Sequence, residues 1–131
     1  MSPKHIVPIL IEVVEKSANP KLQSFFEINS LEDQKKAIKL WCWRSGLDDK
    51  ELQSEPTVIK TGGFVSSDEW QNTLNSLLKA GATGIVASGM DLLERVGLNK
   101  EFLLTAKENG LEVWTSESVF PVPEDELLHA V

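Results

Sequence analysis

The sequence predicts an α/β protein with a small three-stranded parallel sheet, and two observations support this fold class. Three short apolar segments, beginning near Val58, Ile85 and Val113, recur at intervals of 27 and 28 residues. A segment with helical periodicity separates each from the next, and the interval is typical of one strand with its helix. Strands joined through helices run parallel, so residues 55–118 are predicted to form a β-α-β-α-β unit.

The helices of this unit have recognisable start and stop residues. Ser66 and Glu69 have the spacing of a capping box, and Gly81 is placed to end the helix that they begin. After the second strand we predict a short helix over residues 90–96, and Asn99 is the predicted N-cap of the next one. Helical segments are therefore expected between all three strands.

Residues 1–54 are predicted to form a helical layer, because a parallel sheet needs both faces covered. Pro8 fits the first turn of a helix that continues to Val14. The β-branched run that begins at Ile6 makes a strand the alternative for this segment.

Two further helices are expected within this layer. Asn19 and Pro20 are typical of a helix start and predict a short helix that follows them. Ser30 is the predicted N-cap of the last helix, with Asp33 reaching back to it and Gly46 at its end. The chain of 131 residues is long enough for one domain, and residues 119–131 are predicted to be a C-terminal tail or short helix.

Two tryptophans flank the single cysteine, Cys42. On a helix Trp41 and Trp43 lie about 200° apart, so one apolar stripe cannot hold both side chains. Trp41 continues the stripe of Leu31 and Ile38, whereas Trp43 falls outside it. Two interpretations stay open: Trp43 packs between layers of the fold, or it is an exposed anchor for a protein partner. Cys42 is expected to be an inert core residue.

A candidate ligand site lies at the carboxyl ends of the predicted strands, where parallel sheets bind their ligands. Hydroxyl groups and glycines gather there and are suited to an anionic metabolite. The structural alternative is that they are ordinary turn and cap residues, because no G-x-G-x-x-G or Walker pattern accompanies them. The candidate residues are Thr61, Gly62, Gly63, Ser66, Ser88, Gly89, Thr115 and Ser116.

The sequence offers little support for catalysis, and we expect no catalytic residues. The two histidines, His5 and His129, lie near the ends of the chain, no G-x-S-x-G pattern is present, and tyrosine is absent. Asp68, Glu69 and Asp91 lie near the predicted strand ends, but acidic residues in the first turn of a helix usually serve its dipole. An enzyme is therefore less expected than a binding protein.

Neither a metal nor a cofactor is expected. The sequence contains no Cys-x-x-Cys motif and no EF-hand loop, and the acidic runs 48–49 and 124–126 are typical of solvated faces or helix starts. Nucleic-acid binding is not expected either. Lys35, Lys36 and Lys39 share their helix with Glu32 and Asp33, which predicts a neutral solvent face.

The charge distribution suggests a protein partner. The net charge is −7, and residues 55–131 contain five Lys or Arg against twelve Asp or Glu. Such a surface repels nucleic acids and anionic membranes and suits a basic partner. We therefore expect a cytoplasmic regulator, adaptor or immunity-type inhibitor, either a monomer or a homodimer. The alternative is a small-ligand module or minimal enzyme that binds an anionic metabolite at the strand ends.

Overall fold

The computed structural model describes residues 5–13, 21, 30–46, 55–62 and 64–123. Among them are four strands and four helices. Of the predicted helix after Pro20, Lys21 is described and is helical, while residues 22–29, Gly63 and the segment from Glu124 to the C-terminus lie outside the described residues. The elements in chain order are β1 (Ile6–Val13), α1 (Leu31–Arg44), β2 (Thr57–Thr61), α2 (Ser67–Lys79), β3 (Gly84–Ala87), α3 (Met90–Arg95), α4 (Lys100–Glu108) and β4 (Glu112–Thr115).

The strands form one parallel sheet in the order β2-β1-β3-β4. The register places Ile11 of β1 beside Ile59 of β2, and Val7 of β1 beside Ile85 of β3. On the other side of β3, Ile85 lies beside Val113 of β4. The predicted α/β class with a parallel sheet is confirmed, and the three strands of the β-α-β-α-β unit are β2, β3 and β4.

The predicted number of strands is wrong by one, because residues 6–13 form a strand and not a helix. All residues from Ile6 to Ile11 are buried. Ile6 and Leu10 belong to the core on one face of the sheet, whereas Val7, Ile9 and Ile11 belong to the core on the other. A surface helix would expose part of such a run, while the inner strand of a parallel sheet buries both sets of alternating side chains.

The two faces of the sheet are covered unequally. Helix α1 packs on one face through Ile38, Trp41 and Cys42. Helices α2, α3 and α4 pack on the opposite face, where they form the larger core. The larger core includes Trp70 and Leu74 of α2. The sheet is therefore the middle layer, and α1 is the described helix on its smaller side.

Two tryptophans and a glycine set the packing beneath α1. The rings of Trp41 and Trp114 lie 6.1 Å apart, tilted at 57°. The Trp114 ring lies across the adjacent strand, so a Cβ at Gly84 would come within 2.5 Å of it. The indole N–H of Trp41 donates to the carbonyl of Ser118 at 2.8 Å. The one polar group of the buried Trp41 side chain therefore keeps a hydrogen bond.

The helix starts predicted at Ser30, Ser66 and Asn99 are confirmed. Ser66 and Glu69 form a complete capping box at α2. The side chain of Ser30 accepts from the backbone N–H of Asp33 at α1, and Asn99 caps α4 in the same manner. The stops predicted at Gly46 and Gly81 are confirmed as well, since both glycines have a positive φ, and Gly110 after α4 has one too.

Candidate functional site

A crevice opens at the carboxyl edge of the sheet, between the first turns of α1 and the segments that follow β3 and β4. Strand β1 pairs with β3 from Ile6 to Pro8, while further along the same strand β1 pairs with β2. The chain runs from β1 to β2 on one side of β1 and then crosses to β3 on its other side, and open α/β sheets place their ligands where the strand order reverses in this way. The cavity measures about 300 Å³ and is lined by Asp33, Gln34, Ala37, Ser88, Gly89, Asp91, Leu92 and Glu117.

Gln34 joins helix α1 to the open side of β1. Its side-chain oxygen accepts from the backbone N–H of Ile11 at 2.8 Å, and its side-chain nitrogen donates to the Ile11 carbonyl at 2.8 Å. Gln34 is 1% exposed. Strand β3 pairs with β1 as far as Pro8 and does not reach Ile11. The side-chain amide of Gln34 therefore supplies the two hydrogen bonds that a neighbouring strand would make with the N–H and the carbonyl of Ile11.

The crevice carries negative charge. Among the described residues, its lining includes the carboxylates of Asp33, Asp91 and Glu117 and no lysine, arginine or histidine. Glu117 Oε1 accepts from the backbone N–H of Met90 at 3.0 Å. A side chain at Gly89 would meet this carboxylate at 2.9 Å. The charge of the crevice is therefore opposite to the charge that an anionic ligand requires.

The predicted strand-end residues fall into two groups. Ser88 and Gly89 line the crevice, and Thr115 and Ser116 lie buried at the end of the next strand. The hydroxyl of Ser116 donates to the carbonyl of Ser88. The Ser116 hydroxyl thus has a hydrogen-bond partner within the protein.

The second group lies on the far side of β1. Thr61 ends β2 beside Val13, and Gly62 and Ser66 follow it. Because β1 separates β2 from β3, these residues lie at least two strand spacings, roughly 10 Å, from Ser88 and Gly89, and farther from Thr115 and Ser116 at the end of β4. The hydroxyl of Ser66 donates to Glu69 Oε1 at 3.1 Å. The fold therefore brings together half of the predicted ligand site, and Gly63 lies outside the described residues.

No metal centre is formed by the part of the chain that the structure describes. Within the described ranges, no three His, Cys, Asp or Glu side chains are grouped so that they could hold a metal ion. Likewise, none of the described helices is long and apolar enough to cross a membrane.

A second candidate site lies on the outer face of α1. Trp43 is 81% exposed and Leu40 is 61% exposed. The interpretation that Trp43 packs between layers is therefore wrong. Lys36 and Lys39 are exposed as well, and the spacings 36–40, 39–43 and 40–43 make these four residues neighbours on the helix surface. We refer to Lys36, Lys39, Leu40 and Trp43 as the Trp43 face.

The Trp43 face is positively charged. Glu32 forms an ion pair with Lys35 at 3.3 Å. Asp33 accepts from the hydroxyl of Ser30 at 2.9 Å and lines the crevice. Both acidic residues of α1 lie in its first turn, and Lys39, Leu40 and Trp43 follow toward its carboxyl end. The solvent face that the sequence predicts to be neutral therefore carries its charges unevenly along the helix.

More exposed apolar surface lies beside the same end of α1. Arg44 Nη2 donates to the carbonyl of Ser116 at 2.7 Å, and Trp41 donates to the carbonyl of Ser118. These bonds hold the turn after β4 against the last turns of α1. Val119 and Phe120 follow directly, and both are exposed. Exposed apolar side chains on a helix, and on the turn held against it, are typical of a binding surface.

Comparison with known proteins does not identify a family. No protein-family model and no curated protein sequence matches the chain. One solved structure, described as "XylFII molecule", is similar over 87% of this chain with 16% sequence identity and a TM-score of 0.36. The chain spans 33% of the length of that protein. A similarity this low carries no argument about function.

Proposed function

We propose that this protein acts by binding a protein partner through the Trp43 face, as a regulator, adaptor or inhibitor in the cytoplasm. The observation that carries the proposal is the 81% exposure of Trp43, two residues after a fully buried Trp41. Exposed tryptophan is uncommon, because this side chain is highly buried on average. Trp is also strongly enriched among the residues that dominate the energy of protein interfaces.

The position of the residue on a rigid helix supports the proposal. Helix α1 is anchored to the sheet by Gln34 and Trp41 through hydrogen bonds to Ile11 and Ser118. A side chain on such a helix loses little conformational freedom on binding, so more of the contact energy contributes to affinity. The proposal requires neither catalytic residues nor a cofactor.

The test is capture of partner proteins from an extract of the organism that makes this protein. We expect a protein that is retained by the immobilised wild type and lost with Trp43→Ala. Phe64→Ala is the matched control, because Phe64 is also exposed but lies beside Gly97, at the end of α3. Circular dichroism checks that Trp43→Ala and Phe64→Ala are folded. Equal capture by folded Trp43→Ala and by the wild type would contradict the proposal.

The alternative function is binding of an anionic metabolite at the strand ends, and it stays a prediction. The observation in its favour is the cavity of about 300 Å³ between α1 and the segments after β3 and β4, which is lined by Ser88 and Gly89 among others. The three carboxylates of the crevice weigh against it. Thermal unfolding in the presence of phosphorylated metabolites, nucleotides and carboxylates distinguishes the two functions. A reproducible rise in Tm would favour the alternative.

A further inference from the structure

We infer that the partner surface that binds the Trp43 face is acidic: an apolar side chain packs against Leu40 and Trp43, and carboxylates pair with Lys36 and Lys39. The inference rests on the proposed function for the location of the site and adds the chemistry of the partner. It differs from the expectation of a basic partner, which follows from the net charge of −7 for the whole chain.

The arrangement of the four side chains of the Trp43 face defines which partner surface can bind to it. Lys39 precedes Trp43 by four residues, and Lys36 precedes Leu40 by four. Side chains with this spacing have Cβ atoms about 5–6 Å apart. The two lysines therefore lie beside the two apolar side chains on the same surface. A partner that covers Trp43 also brings its own polar groups within reach of both ammonium groups.

The charged groups close to Trp43 have the largest electrostatic effect on a partner that docks there. Electrostatic interactions at a surface are largely screened beyond about 8 Å at physiological salt. The described carboxylates of α1, Glu32 and Asp33, are engaged with Lys35 and Ser30. Among the described residues of α1, Lys36 and Lys39 are therefore charged side chains that lie beside Leu40 and Trp43, even though the whole chain is acidic. Complementary charge at the rim of an interface determines partner choice and association rate.

A protein partner fits this face better than a membrane does. Surfaces that bind anionic lipid carry clusters of about 4–8 basic residues. The Trp43 face has two such residues, and the net charge of −7 opposes approach to an anionic membrane. Lipid binding is therefore an outcome of the test and not part of the inference.

The local potential can be measured by the fluorescence of Trp43. The other three tryptophans, Trp41, Trp70 and Trp114, are at most 9% exposed. Collisional quenching therefore reports mainly on Trp43. At low salt we expect iodide to quench more efficiently than caesium, with neutral acrylamide as the reference, and Lys36→Gln with Lys39→Gln to reduce this difference. More efficient quenching by caesium would overturn the inference.

Binding is measured with two short synthetic peptides as probes. Both carry leucine and phenylalanine at the same positions, and the remaining positions are glutamate in one peptide and lysine in the other. We expect the glutamate peptide to bind. The double variant Lys36→Gln with Lys39→Gln should weaken it about fivefold to tenfold, as expected for two rim ion pairs. Preference for the lysine peptide, or no binding of either, overturns the inference.

The two proposals fail in different ways. If a captured partner depends on Trp43 but is insensitive to Lys36→Gln with Lys39→Gln, the proposed function stands and the acidic partner is wrong. If capture does not depend on Trp43, the proposed function itself fails. Trp43-dependent binding to phosphatidylserine vesicles, without binding of the glutamate peptide, would replace the acidic protein by a membrane.

Discussion

Replacement of Gln34 by methionine tests how the open side of β1 is stabilised. Methionine has nearly the size of glutamine and a similar helix propensity, so Gln34→Met removes the hydrogen bonds while it preserves packing. The amide makes two bonds of 2.8 Å with the backbone of Ile11. Without them, one N–H and one carbonyl of β1 are left buried beside a thioether.

The magnitude follows from the cost of two unsatisfied groups. Each buried backbone donor or acceptor without a partner costs about 1–3 kcal/mol, which predicts a loss of about 2–6 kcal/mol. The free energy of unfolding of a typical domain is about 5–15 kcal/mol. Gln34→Met is therefore expected to remove a large share of the stability, and to lower the urea midpoint by about 1 M or more.

The assay is equilibrium unfolding in urea, followed by circular dichroism and by tryptophan fluorescence. Gln71→Met is the matched control, because Gln71 is exposed on α2 and bonds only to the neighbouring side chain of Asn75 at 3.2 Å. We expect the control to change stability by less than about 0.5 kcal/mol. Equal effects of Gln34→Met and Gln71→Met would refute the reasoning, since Ile11 would then find another partner.

Three further results are expected. Gly84→Ala should destabilise the fold by about 1–3 kcal/mol and alter the near-UV circular dichroism, because the new methyl group meets the Trp114 ring at 2.5 Å. Trp43→Phe should remove most of the acrylamide-accessible emission while it changes the unfolding free energy little; persistent quenching would mean that another tryptophan is accessible. Ser66→Ala should cost about 1 kcal/mol through loss of the capping box, whereas Ser67→Ala, one residue later, should cost much less in the same thermal unfolding assay.

Local rules predicted the β-α-β-α-β unit well. The apolar runs of β2, β3 and β4, the capping residues and the terminal glycines act within one turn or one strand, so short stretches of sequence contain the information. The same rules failed at residues 6–13. A β-branched run that begins near a proline fits either a first helical turn or a strand, and only burial on both faces distinguishes them.

The candidate site was only partly predictable. The sequence indicated that Trp43 leaves the apolar stripe of α1, but the choice between burial and exposure depended on whether a second layer covers that helix. Leu40 was not recognised as part of a surface, because a single leucine at a helical position is normally core. The polar role of Gln34 was not recognised either, since its partner Ile11 lies 23 residues earlier in the chain.

By itself, the sequence determined the α/β class, the parallel direction of the strands and the ends of the helices, because periodicity, capping and connection length are local properties. The tertiary structure decided the rest: that β1 lies inside the sheet, that a carboxylate-lined crevice opens between α1 and the segments after β3 and β4, and that Trp43 is exposed on the same helix face as Lys36 and Lys39. These features depend on residues far apart in the chain and on which faces other layers cover. Burial and local charge are therefore set by the assembled layers, and local sequence does not specify them.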